Sequence, residues 1–205
     1  MPDKPSDAAA RQKNDAVNRF RKKRGKLLSE QIEMLARRKG RRIVILDVGG
    51  REDYWNNVAT DHVDKIILLN MAEDEIQLEE RGNLFESRTG DARDLSAYDD
   101  KSFDLAHANS VIEHVGPWQD MQAMADEMRR VGDSGWVQTP AWEFPIEPHF
   151  REPFLHWFGQ PARRRLLFMS RSYRGRTLPE KRWHVDRINL LSRPEFKALF
   201  PECTI

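Results

Sequence analysis

Beyond Arg42 the chain alternates short apolar, β-rich runs, near-continuous in "IVIL" and "IILL", with stretches of helical texture. The runs lie in "RIVILDV" (42–48), "KIILLNM" (65–71), "NLFESRTGDA" (83–92), "SFDLAHANS" (102–110) and "GWVQTPAW" (135–142). Strands that are apolar on both sides fit burial on both faces, as in a parallel sheet. Between them stand "YWNNVAT", "EDEIQLEERG" and "PWQDMQAMADEMRRV", which read as helices. The alternation predicts βαβ units with right-handed crossovers, hence an α/β fold with helices on both faces of a parallel sheet.

Ahead of the first strand, Val17, Phe20, Leu27, Leu28, Ile32 and Leu35 fall near helical spacing, with arginines and lysines on the remaining face. Residues 1–40 are therefore read as a basic tail and capping helix, and 41–205 as the main domain. From about 142 to 185 the texture changes to Pro, aromatics and Arg, a lid-like excursion after strand five over the carboxyl edge of the sheet. "RINLLSRPEFKALF" then predicts a short strand and a helix capped by Ser192, with Pro194 in its first turn.

Length and charge narrow the picture. A chain of 205 residues holds one full-sized core. The net charge of +1 supplies no global field toward nucleic acid. Residues 1–42 nevertheless carry fourteen Lys/Arg against five Asp/Glu. That imbalance keeps open a second class of function, a silent module holding RNA or a protein partner through its basic helix. The apolar stripe favours the cap. The single cysteine, Cys203, excludes an internal disulfide framework and suits a reducing compartment. No run approaches the roughly 20 apolar residues of a membrane span. The expectation is a cytoplasmic protein without a membrane partner.

The chemistry-bearing residues gather at strand ends. Asp47, Gly49 and Gly50 follow strand one, Asn70 ends strand two, Gly90, Asp91 and Ala92 follow strand three, and Asn109 to His114 follow strand four. In an open α/β sheet ligands bind outside those carboxyl ends. "GGREDY" does not supply the G-x-G-x-x-G of a nicotinamide-binding turn.

In order and content, "LDVGG", "GDARDLS" and "FDLAHANSVIEHV" resemble a class I S-adenosylmethionine-dependent methyltransferase of the broad small-molecule group. The resemblance implies a Rossmann-like three-layer sandwich with a mostly parallel sheet ordered 3-2-1-4-5. It also implies S-adenosylmethionine as cofactor and a methyl transfer, by O- or N-methylation, to a small-molecule or saccharide acceptor. Gly49 and Gly50 would admit the methionine portion, and Asp47 would orient that loop and the methionine amine. Asp91 would accept from the adenine amino group, with the Ala92 amide beside it. Asn109 and Ser110 would lie beneath the sulfonium. Where the group often carries an acid for the ribose, this chain has Asn70, an uncharged donor and acceptor.

Candidate bases are His114, Glu147 and His149, each with an equally open reading as a loop anchor. No metal is expected, because the first acid of the "E..EHV" metal pattern is here Ser110. The closing "FPECTI" reads as the start of a sixth strand whose β6/β7 hairpin is missing. That would leave the strand five edge for an oligomer or partner to cover.

Overall fold

The computed structural model describes residues 5–71, 82–146, 152–170, 173, 175 and 177–205. Five strands, β1 (Ile43–Val48), β2 (Val63–Asn70), β3 (Phe85–Thr89), β4 (Phe103–Asn109) and β5 (Gly132–Gln138), form one sheet in the order β3-β2-β1-β4-β5. Every pairing is parallel. The expected order is therefore found.

The period of two along each strand divides the core into two layers. Ile43, Ile45, Ile66, Leu68 and Leu105 face the N-terminal helix α1 (Pro5–Lys39), meeting its Leu28, Ile32 and Leu35, with Trp55 of the 3-10 turn that follows β1 in the same cluster. Leu46, Val48, Leu69, Ala106 and Ala108 face the other way, onto Met121, Met124 and Met128 of α2 (Trp118–Val131) and Leu199 of α5 (Arg193–Leu199). Leu28 and Ile32 are fully buried, so α1 is a cap whose basic side faces water. Phe20 and Leu27, expected on the buried stripe, are exposed instead.

Two of the joints that hold the cap lie near Asn57. Ser29 Oγ accepts the Ala59 amide at 2.8 Å and donates to the Gly25 carbonyl. Gly25 lies so close to the Asn57 carbonyl that a Cβ would sit 2.1 Å from its oxygen.

Several expectations are corrected. "YWNNVAT" gives only a 3-10 turn over Glu52–Asn57. The helix expected in "EDEIQLEERG" is neither found nor corrected, since residues 73–81 lie outside the described residues. The short strand near Leu191 reduces to a single bridge with Ala141, and Pro201 and Glu202 form a turn with no strand after it. The excursion contains α3 (Gln160–Met169) and α4 (Leu178–Arg187). These helices share a small core of Leu155, Leu167, Tyr173, Val185 and Ile188. Among the described residues no helix is long and apolar enough to cross a membrane.

Candidate functional site

The β1 strand delivers Asp47 to the edge of the sheet and then turns at Gly49, whose φ of +63° lies in the left-handed region. The turn is pinned from below. The Gly49 amide donates to the Leu69 carbonyl at 2.7 Å, and Asn70 Nδ2 donates to the Gly50 carbonyl at 3.0 Å.

Asp47 is buried. Trp55 Nε1 donates to its Oδ2 at 2.8 Å, and His107 Nδ1 meets its Oδ1 at 2.5 Å. Both of its oxygens serve internal partners. Through them it clamps the loop, with the ring of Tyr54 packed 4.9 Å from that of His107. Burial, aided by the charge of Asp47, pushes the Tyr54 phenol up to about 12. It stays protonated and donates to Gln138 Oε1 at 3.2 Å.

The bare backbone at both glycines answers first to the protein itself. A Cβ at Gly49 would meet Val111 Cγ2 at 2.5 Å, and one at Gly50 would meet Asp47 Oδ2 at 2.2 Å.

Two of the clefts at this edge meet at Gly49. The larger, about 680 Å³, is lined by Gly49, Asn70, Asp91, Ala92, Arg93, Val111 and His114, and by Gln160, Asp186, Arg187 and Asn189 of the excursion. The smaller, about 310 Å³, is lined by Arg21 and Arg24 of α1 with Asp47, Gly49, Gly50, Tyr54, His107 and Asn109. Both volumes fall within the roughly 300–1,000 Å³ of small-molecule sites. Gly49 borders both.

Asp91 is bound by Arg93, whose Nε and Nη2 reach the carboxylate at 3.0 and 2.6 Å while Nη1 takes Asp120 at 3.0 Å. The Arg93 guanidinium holds the Asp91 carboxyl below its ordinary range, outweighing the opposing effect of burial. The Ala92 amide meets no acceptor among the described residues, and neither does Asn70 Oδ1 meet a donor. Ser110, at φ +56°, anchors the bend after β4 by donating its amide to the Gln138 carbonyl. His114 is exposed on the rim of the larger cleft.

The excursion closes onto this bend. The Asn189 amide donates to the Glu113 carbonyl at 2.9 Å, and Asn189 Nδ2 donates to Gly116 at 3.0 Å. Glu147 and His149 lie outside the described residues. The structure thus places Asn70, Asp91, Ala92 and His114 around one cleft, and Asp47, Gly50 and Asn109 around its neighbour. Arg21, Arg24, Tyr54, Arg93 and His107 were not foreseen. Of these, only the helical i, i+3 spacing of Arg21 and Arg24 was a readable signal.

A strand-end crevice with an acid and a free amide after β3, beside a glycine turn after β1, suits a nucleoside-bearing ligand. The model of the methyltransferase domain family matches residues 20–200, and the chain belongs to that family, whose cofactor is S-adenosylmethionine. Among solved structures, the YcgJ protein of Bacillus subtilis is 16% identical over 84% of this chain and 66% of its own, with a TM-score of 0.51, a likeness of fold. An S-adenosylmethionine-dependent methyltransferase from Methanosarcina mazei is 16% identical over 78% of each chain, with a TM-score of 0.46. An arsenic(III) S-adenosylmethionine methyltransferase from Chlamydomonas reinhardtii is 19% identical over 44% of this chain, with a TM-score of 0.35. The chain spans 35% of the length of that enzyme and 66% of YcgJ. No curated protein matches it.

Proposed function

We propose that the chain transfers the methyl group of S-adenosylmethionine to an oxygen or nitrogen of a small-molecule or saccharide acceptor. The observation that carries this reading is the pair of clefts meeting at Gly49, which together offer one elongated ligand a path along the carboxyl edge of the sheet. The residues present fit the cofactor. Asp91 would accept from the adenine amino group and the Ala92 amide would donate beside it. Asn70 Oδ1 would accept from a ribose hydroxyl, since its Nδ2 is already given to Gly50. Arg21 and Arg24 would face the methionine carboxylate from the cap.

When bound, the cofactor supplies an already activated methyl group. The chain's own task is to orient the acceptor, a contribution on the order of 7 kcal/mol in favourable cases. It must also take a proton where the acceptor is a hydroxyl. His114, on the rim beside Val111 and Gly116, is the proposed base, and Glu147 and His149 are proposed to contact the acceptor.

Calorimetric titration with S-adenosylmethionine, followed by a labelled-methyl screen across sugars and small hydroxylated and amino compounds, tests the reading. Binding with labelled product supports it. No heat and no product would end it.

A further inference from the structure

The chain from Ala141 onward leaves the sheet as two arms that run back along each other. Ile146 bridges Pro153, and the Phe154 amide donates to the Pro145 carbonyl. His156 Nε2 and Trp157 Nε1 both bond the Trp142 carbonyl, at 2.9 and 2.8 Å. Such a tied structure should turn its apolar side chains inward. Instead Trp142, Phe144, Ile146, Phe154, Trp157 and Phe158 are 40–63% exposed. Trp157 touches both Phe154 and Trp142, with ring centroids 4.8 and 6.0 Å apart, so the aromatics form a connected patch.

In sequence the patch leads into α3, which begins two residues after Phe158. One face of α3 buries Leu167 in the small core, while Arg165, Leu166 and Met169 point to water, Met169 at 78% exposure. Charge identifies what this surface meets. Arg165 stands exposed on the outer face of α3, Arg164 and Arg182 pair with Asp186, and the sequence of residues 158–187 holds nine Lys/Arg against Glu180 and Asp186 in a chain of net charge +1. Exposed Trp and Phe beside a basic amphipathic helix match the polarity gradient of a bilayer interface, where rings sit at headgroup depth and arginines meet lipid phosphates.

We propose that the excursion docks the protein peripherally on an anionic lipid surface, inserting the aromatic patch and the outer face of α3. Docking through this surface does not require methyl transfer. It does set the larger cleft, lined by Gln160 of α3 and Asp186 and Arg187 of α4, close to the lipid headgroups.

The test is co-sedimentation of the full chain with vesicles of phosphatidylcholine alone and of phosphatidylcholine containing one third phosphatidylglycerol. Binding should appear on the anionic vesicles, weaken as salt rises, and be roughly tenfold weaker on neutral ones. Leu166→Glu with Met169→Glu should abolish binding, and Arg165→Glu should reduce it roughly tenfold. Unchanged thermal unfolding would show that these exposed changes leave the fold intact. Quenching of tryptophan emission by brominated lipid should fall in Trp157→Phe.

Absence of binding to anionic vesicles would overturn the proposal, as would equal binding by the Leu166/Met169 variant. Light scattering that finds a dimer dispersed by Met169→Glu would assign the patch to a second copy and overturn it equally.

Discussion

At the scale of single residues, the site is organised around a carboxylate that does not face the clefts freely. Asp47 receives Trp55 from the 3-10 turn and His107 from β4, so two elements fix the glycine turn through one side chain. Replacing His107 with Leu strands Asp47 Oδ1 in a buried place and should cost about 2–3 kcal/mol. His107→Asn, whose amide nitrogen sits near the place of Nδ1, should cost clearly less. Urea melts of the two variants check this, and equal losses would remove the bond to Asp47 from the explanation. On the ligand side, Asp91→Ala should weaken S-adenosylmethionine by about tenfold, the worth of a hydrogen bond to a charged acceptor, while Arg93 keeps its contact with Asp120. Calorimetry showing unchanged affinity would take Asp91 out of the site. The strand-end residues were legible because the polarity of the sequence changes abruptly where apolar runs stop. His107 was not, since a histidine inside an apolar run gives no sign of the partner it meets from sixty residues away. Gly49 and Gly50 were noticed, but their bareness is required by Val111 and Asp47 as well as by any ligand, so Gly49→Val would not isolate cofactor binding.

At the scale of elements, α1 divides into a part that packs and a part that does not. Leu28→Asp puts an unpaired charge into the core and should destabilise the fold by about 3 kcal/mol or more. Reversing Lys22 and Lys23, both exposed, should leave stability within about 0.5 kcal/mol. Thermal melts separate the two outcomes, and a neutral Leu28→Asp would detach the helix from the core. The stripe Leu28, Ile32, Leu35 was readable from spacing. It failed at Phe20 and Leu27, because a helix of 35 residues outruns the six-residue strand beneath it. In the excursion the helices were hidden by the crowding of Pro and Arg. Even so, "TLPE" carried a capping-box signal at Thr177 and Glu180, the same kind that "SRPE" gave for α5. Strand order followed from the alternation itself, since parallel neighbours need a crossover between them.

At the scale of the molecule, the cap is fastened to the sheet at Asp104. Arg41 binds it through both Nη atoms at 2.8 and 2.9 Å, Lys39 reaches it at 3.2 Å, and the Val44 amide donates at 2.9 Å. Burial pushes the Asp104 carboxyl up, but the Val44 amide, Arg41 and Lys39 outweigh it and hold the carboxyl below its ordinary range. A depressed acid contributes its full stability above the unfolded value of about 3.9 and loses it as pH falls further, toward the folded value. Stability should therefore drop below about pH 4, and less steeply in Asp104→Asn. Parallel slopes in acid melts would move that loss to other carboxylates. The placement of Arg21 and Arg24 on the smaller cleft has a further consequence. A ligand that touches both the cap and the sheet binds only molecules in which the two are joined, so occupancy and joining are thermodynamically linked. Amide hydrogens of residues 20–39 should then exchange more slowly as S-adenosylmethionine fills the site, slowing by about a hundredfold when the ligand stands at a hundred times its dissociation constant. The cap is in that sense a reporter of occupancy, readable by mass at a distance from the chemistry.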